Sequence, residues 1–184
     1  MTIQNLAEAF GVSAMPVREA MKRLTAANAL TVVSGRTIGI APLSLERLTD
    51  LRNVRIEIEG AAISWAAKNA NSGRVGRLEG ILEDMDSAVK AGNSKQFLRA
   101  NRAFHFGIYE MADSPTLVAI IESLWLQIGP YLSLLRESGN YVSANLHHKD
   151  MFMAIQGRDA KKALRAIKGD INDAYHELVL ILGN

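Results

Sequence analysis

The stretch Leu6–Leu24, LAEAFGVSAMPVREAMKRL, carries the reading of the first quarter of the chain. Leu6, Ala9 and Phe10 recur at helical spacing. Gly11 follows, and a residue free to take positive φ stops a helix there. Ser13 is placed to cap a second helix. Met15-Pro16 opens that helix, where proline's missing N–H costs nothing. Val17, Met21 and Leu24 form its inward stripe. Arg18 and Lys22 stand on the opposite side, with Arg23 at the edge. Beyond it, Leu30–Val33 is short and β-branched, Ser34–Thr37 is turn-like and Ile38–Ala41 returns. This predicts a hairpin with a basic tip. Two short helices around a glycine turn, then a hairpin, make a winged helix-turn-helix.

Outward from Pro42 the pattern changes. Everything after Ser44 reads as helix, over 45–68, 74–91, 94–111, 115–138, 142–156 and 160–182. The breaks fall at Asn71-Ser72-Gly73, Gly92-Asn93, Ser114-Pro115, Ser138-Gly139-Asn140 and Gly157-Arg158, all turn or helix-stopping residues. The expected fold is mostly α: a winged helix-turn-helix over 1–43 and an all-α bundle of about six helices over 44–184.

Composition narrows the function. The chain has 184 residues, 48% hydrophobic and 22% charged, which suits a packed globular protein. It has no cysteine, so any metal must be held by nitrogen and oxygen. The opening MTIQNLAEAF lacks the basic lead and apolar run of a secretion signal. No apolar stretch approaches the roughly 18 residues that cross a bilayer. The expectation is a cytoplasmic protein with no membrane partner. Net charge is +2. Through Ser44 the basic residues Arg18, Lys22, Arg23 and Arg36 face only Glu8 and Glu19, and the remainder is balanced. A basic module joined to a neutral one suits a reader of polyanions attached to something else.

In a winged helix-turn-helix the second helix enters the major groove, its N-terminal residues at the base edges. That selects Ser13, Met15, Arg18 and Lys22. An arginine at such a position contacts guanine or holds a phosphate. Gly35 and Arg36 at the wing tip suit the DNA backbone or minor groove. The alternative is that these are ordinary solvated surface residues.

On helical wheels the bundle turns several polar residues inward. Leu48, Leu51, Ile58, Ala62 and Trp65 share an arc containing Arg55, with Glu59 at its edge. Phe97, Phe104, Ile108 and Met111 share an arc with Asn101 inside and His105 flanking. Met151, Phe152 and Ile155 surround His148. Ala163, Ile167, Ala174, Leu178 and Ile181 border Asp170. His147 and His176 read as surface residues. Taken singly, each inward polar group is ordinarily a hydrogen-bonded core residue or an edge ion pair. Together, Asn101, His105, His148 and Asp170 can converge on one ion. Two imidazoles with oxygen donors suit Zn²⁺, Ni²⁺ or Mn²⁺.

These residues carry a resemblance. LAEAFGVSAMPVREAMKRL and the wing-like SGRTIGIAPLS resemble the GntR family of bacterial transcription regulators. RIEIEGAA at Arg55–Ala62, NRAFH at Asn101–His105, and HKDMFMAI followed by GRDAKKA resemble the FCD ligand-binding domain of its FadR-like branch. The resemblance implies a homodimer on a double-stranded DNA operator, and a small carboxylate effector bound with a divalent metal. It maps the family's Asp, His, His and His ligands onto Asn101, His105, His148 and Asp170, so two of the four depart. A carboxylate is lost at Asn101 and one is gained at Asp170. Ala14 and Gln4 stand where many members carry basic residues, which predicts weaker DNA binding with a flatter salt dependence. The family module also begins one helix earlier, so the winged helix-turn-helix is expected to be truncated at its first helix, exposing apolar faces at Leu6 and Leu24. Arg55 pairs either with the effector's carboxylate, as does Asn101 through the metal site, or with Glu59 one turn on.

Two other readings remain at this level. One is a metal- and metabolite-binding sensor or dimerisation protein that has lost DNA binding. The other is a small metallohydrolase with Glu59 as its general base, but no H-E-x-x-H, phosphate loop or G-x-S-x-G supports it.

Overall fold

The computed structural model describes residues 2–34, 37–138 and 141–183, with the side chains of Ser34, 136–138 and 141–144 outside the description. The wing-tip residues Gly35 and Arg36 lie outside the described residues. In chain order the elements are α1 (Ile3–Phe10), α2 (Ala14–Ala26), β1 (Leu30–Ser34), β2 (Thr37–Ile40), α3 (Leu45–Asn69), α4 (Ser72–Lys90), α5 (Ser94–Glu110), α6 (Pro115–Ser138), α7 (Tyr141–Gln156) and α8 (Ala160–Leu182).

The stops act as their chemistry requires. Gly11 takes a left-handed φ of 64° and returns its N–H to the Ala7 and Glu8 carbonyls, ending α1. Ser44, Asn71, Asn93 and Asp159 each accept an N–H of the first turn they precede, opening α3, α4, α5 and α8. Ser13 occupies the cap position of α2, but its side chain makes no capping bond. The hairpin pairs Leu30 with Ile40 and Val32 with Ile38, antiparallel, with an irregularity between Val32 and Ser34.

Among the described residues, three hydrophobic clusters hold the fold. The largest runs through α3 to α8, from Ala62 and Ile63 through Phe104, Tyr109 and Ile121 to Met151 and Ile167. A second joins Leu48 and Leu51 of α3 to Ile128 and Tyr131 of α6 and Leu178 of α8. The third is small: Ala7, Val17 and Met21, backed by Ile3, Leu6 and Ile38. It is too small to cover its own module. An apolar groove of about 700 Å³, lined by Leu6, Phe10, Leu24 and Ile40 among others, stays open beside it. Phe10 is 72% exposed, although its spacing places it in the apolar repeat of α1.

Two expectations need correction. Trp65, placed in the inward arc of α3, is 46% exposed. The second half of this 25-residue helix buries Ala62 as expected, but beside Ile63, Ala66 and Ala67 rather than Trp65, because its neighbours change along its length. A wheel with one fixed face misses that rotation. The span Pro115–Leu135 of α6 is also longer and more apolar than expected, with mean hydropathy 1.4 over 21 residues. Ser123, Gly129 and Pro130 interrupt its apolar run without lowering that average further. Ile121, Trp125, Ile128 and Tyr131 of that span are buried in the bundle, while most of the span, Ile120 and Leu126 included, is not.

Candidate metal centre and nucleic-acid interface

Three of the four expected ligands meet. His105 of α5, His148 of α7 and Asp170 of α8 bring one ligand atom each to within 4.8 Å of one another. The two Nε2 atoms are 3.2 Å apart. Asp170 sets Oδ2 3.5 Å from His105 Nε2 and Oδ1 3.6 Å from His148 Nε2. Atoms bound to one Zn²⁺ at ~2.0–2.1 Å lie about 3.3 Å apart across a tetrahedral edge, so this donor set fits a single ion. Asn101 stands one turn before His105, half-buried, and among the described residues no hydrogen bond ties its amide to the trio.

Hydrogen bonds fix the tautomer of His105. Glu59 is fully buried, and its carboxylate accepts from Arg55 Nε at 2.6 Å. It also accepts a short hydrogen bond from the Tyr109 hydroxyl. With its proton spent on Glu59, the Tyr109 oxygen acts as acceptor toward His105 Nδ1, 3.1 Å away. His105 therefore carries its proton on Nδ1 and turns the Nε2 lone pair toward His148 and Asp170. A carboxylate acting through a second group on an imidazole in this way is how metal-binding histidines are oriented. The Nδ1 of His148 is buried without a hydrogen-bond partner among the described residues.

The charge states suit a cation. Burial, helped by Arg55, pushes His105 down to about 3. Burial, with His105 and His147 adding to it, holds His148 well below the usual histidine range. Both rings are neutral at pH 7, as ligands must be. Burial raises Asp170 to about 7, against the opposing pull of Arg55 and His147. Burial likewise keeps the Tyr109 hydroxyl protonated well above the usual range, reinforced by Glu59.

Sequence reasoning left open whether Arg55 meets an effector or Glu59. The structure gives Arg55 to Glu59, so the guanidinium charge is already compensated. Burial opposes that charge, but Glu59 outweighs it and the pKa of Arg55 rises. Glu59, the one general base the metallohydrolase reading offered, is held by Arg55 and Tyr109. Two site residues went unnoticed in the sequence, Tyr109 and Trp125. The Trp125 ring lies 5.3 Å from that of His105 and 5.7 Å from the Arg55 guanidinium carbon, and its Nε1 is buried with no partner among the described residues. His147, expected on the surface, is partly covered. Its Nε2 is 2.7 Å from Asp173, and its ring packs where a Cβ on Gly169 would stand.

At the other end, Ser13 at the cap of α2 and Met15, Arg18 and Lys22 on it all lie exposed. Lys22 is 3.0 Å from Glu19, which shares its charge. That hydrogen bond, and the charges of Lys22, Arg23 and Arg18, lower the Glu19 pKa. The N-terminal end of α2 thus presents an uncapped serine and an arginine to solvent, a surface suited to phosphate and base edges.

Residues 50–173 match the FCD domain, and residues 1–40 match the gntR family of bacterial regulatory proteins. The chain belongs to the GntR family and carries an FCD domain. It is 32% identical over 158 residues to the HTH-type transcriptional regulator McbR of Escherichia coli K12, covering 86% of this chain and 72% of that one. The solved structure of E. coli McbR superimposes with a TM-score of 0.90 at 28% identity, covering 98% of this chain and 86% of that one. The metal-free FCD domain of TM0439 shares the fold, with a TM-score of 0.65 at 18% identity over 76% of this chain and 96% of that one. This GntR-type chain is a transcriptional regulator, and its relatives include HTH-type transcriptional regulators of bacteria.

Proposed function

We propose that this regulator binds a palindromic operator as a cytoplasmic homodimer, and that a divalent metal and a small organic acid in its helical domain set its operator affinity. Residues 1–43 are the DNA-reading module and 44–184 the effector domain. Ser13, Met15, Arg18 and Lys22 face the DNA, with Gly35 and Arg36 at the wing. A homodimer matches the two-fold symmetry of such an operator. Ile120 and Leu126 leave apolar surface on the outer face of α6 for a second copy.

The observation that carries the reading is the His105–His148–Asp170 cluster, with its tautomer set through Tyr109 and Glu59. His105, His148 and Asp170 would hold Zn²⁺, Ni²⁺ or Mn²⁺, with Asn101 as a weaker oxygen donor. The ion would supply open positions for an acid's carboxylate. Arg55 supports this site through Glu59 rather than by meeting the acid.

A physical route joins the site to the DNA module. Trp125 of α6 lies against His105, and Gln127, two residues on, accepts from Arg47 Nη2 at 3.1 Å. The same nitrogen donates to the Asn28 carbonyl, just past the end of α2, at 2.8 Å. Tyr131, one turn further along α6, exchanges hydrogen bonds with the Ser44 backbone in the linker. A ligand that moves α6 thereby moves what holds α2. Coupling requires different ligand affinities in the two states, typically ~1–3 kcal/mol.

The test is a gel shift of the full-length protein on DNA upstream of its own gene, with and without Zn²⁺ and a panel of organic acids. Binding that an acid changes by about 5–150-fold is expected. Metal and acid uptake with no operator on any such fragment would replace this reading with a sensor that no longer reads DNA.

A further inference from the structure

We infer that the site is built for a small monocarboxylate that also accepts a hydrogen bond from Trp125, and that it rejects dicarboxylates. This rests on the metal-and-acid reading above and narrows it.

The first argument is charge. Arg55 and Glu59 form a buried ion pair and cancel. Both imidazoles are neutral ligands. Asp170 contributes the one uncompensated negative charge of the trio. A divalent ion among them leaves a single positive charge. His147 and Asp173, paired nearby at 2.7 Å, open to solvent. One carboxylate therefore brings the buried site to neutrality. A second, buried with it, has no cation to meet, because Arg55 is already committed. Uncompensated buried charge is strongly disfavoured. A histidine in place of Asp170 would leave room for a dianion, so Asp170 acts as the specificity-determining residue.

The second argument is the indole. Trp125 is 9% exposed, and its Nε1, like the His148 Nδ1, is buried with no partner among the described residues. Buried N–H groups ordinarily find one. An acid with an oxygen beyond its metal-bound atoms, such as a 2-hydroxy monocarboxylate, supplies it.

The experiment uses the full-length protein loaded with Zn²⁺ and the probes lactate and malate, which share a 2-hydroxy acid head and differ by one carboxylate. Trp65 is the only other tryptophan, so W65F makes Trp125 the sole fluorescent reporter. Lactate is expected to shift Trp125 emission and to bind at least tenfold more tightly than malate by calorimetry. W125F is expected to weaken lactate about tenfold at saturating Zn²⁺, and D170H to narrow the lactate–malate gap. Equal or tighter malate binding to wild-type protein overturns the inference, whether or not the variants fold. So does Zn²⁺ uptake without lactate binding, which leaves the metal site standing. Failure to take up Zn²⁺ overturns the metal reading and this inference together.

Discussion

Arg47 reaches back nineteen residues to the carbonyl of Asn28, and that carbonyl is where it is because Asn28 takes a left-handed φ of 56°. Asparagine tolerates that conformation better than most residues. One side chain of the effector domain thereby grips the exit of the DNA-reading helix, while Gln127 steadies the same nitrogen from α6.

Arg47→Ala removes both hydrogen bonds and keeps the core. We expect a stability loss of about 1 kcal/mol, since one bond is part-buried and the other exposed. Amide exchange should rise selectively near Asn28–Leu30, with Zn²⁺ uptake unaltered. Exchange mass spectrometry that finds this segment unchanged would remove Arg47 from the coupling route.

Tyr109→Phe deletes the hydroxyl that joins Glu59 to His105. The His105 Nδ1–H then loses its acceptor, and its tautomer is no longer specified. Loss of such an outer partner typically costs ~10–100-fold in metal affinity. Titration with Zn²⁺ and a thermal melt separate the two effects. An unchanged affinity would show that Tyr109 serves packing alone.

Glu59→Ala leaves the Arg55 guanidinium buried without its carboxylate. Breaking a buried pair from one side costs about 3–5 kcal/mol, so this variant should melt far below wild type. The double variant Arg55→Met/Glu59→Leu should recover most of that loss. Denaturant unfolding of all three decides it, and a benign single variant would mean that water reaches Arg55.

The pH dependence of metal binding follows from Asp170. Burial holds its folded pKa at about 7, while both histidines stay neutral throughout the neutral range. Below pH 7 an incoming ion must displace the Asp170 proton, so affinity should rise about tenfold per pH unit up to 7 and then flatten. In the metal-free protein the sign reverses for stability. The folded state holds a proton that the unfolded chain has released, so this group's contribution falls as pH rises from about 4 to about 7. Calorimetric Zn²⁺ titrations at several pH values test the first statement. Melts of wild type against Asp170→Asn in chelator isolate the second from the opposite contribution of the two buried histidines. A zinc affinity flat between pH 5.5 and 7 would reassign the proton.

Much of this was legible before any coordinates, for identifiable reasons. Helix ends were readable because Gly11, Asn71, Asn93 and Pro115 act locally, within the turn they terminate or open. His105 and His148 stood out because polar groups inside apolar stripes are costly and rare. Tyr109 and Trp125 did not, since both pass as ordinary core aromatics on a wheel. Periodicity says which way a side chain faces, not what meets it there. The short Tyr109–Glu59 bond joins residues 50 apart in sequence, and no local pattern encodes it. Trp65 was misplaced for the related reason that α3 changes partners along its length.

The last prediction concerns DNA. Arg18 is exposed on α2, whereas Lys22 is shared with Glu19. Of the two cations, Arg18 is the freer to engage DNA. If it reads a guanine edge, Arg18→Ala should cost about 1–3 kcal/mol on the operator and relax preference at one base pair. If it holds a phosphate, affinity should fall on all sequences alike and the salt slope should drop by about one. Anisotropy titrations on operator and scrambled duplexes at several salt concentrations distinguish the two. Lys22→Ala, measured alongside, should weaken binding less, because Glu19 must be separated from Lys22 before the lysine can engage the DNA. A larger loss at Lys22 than at Arg18 would reverse the assignment of the leading contact.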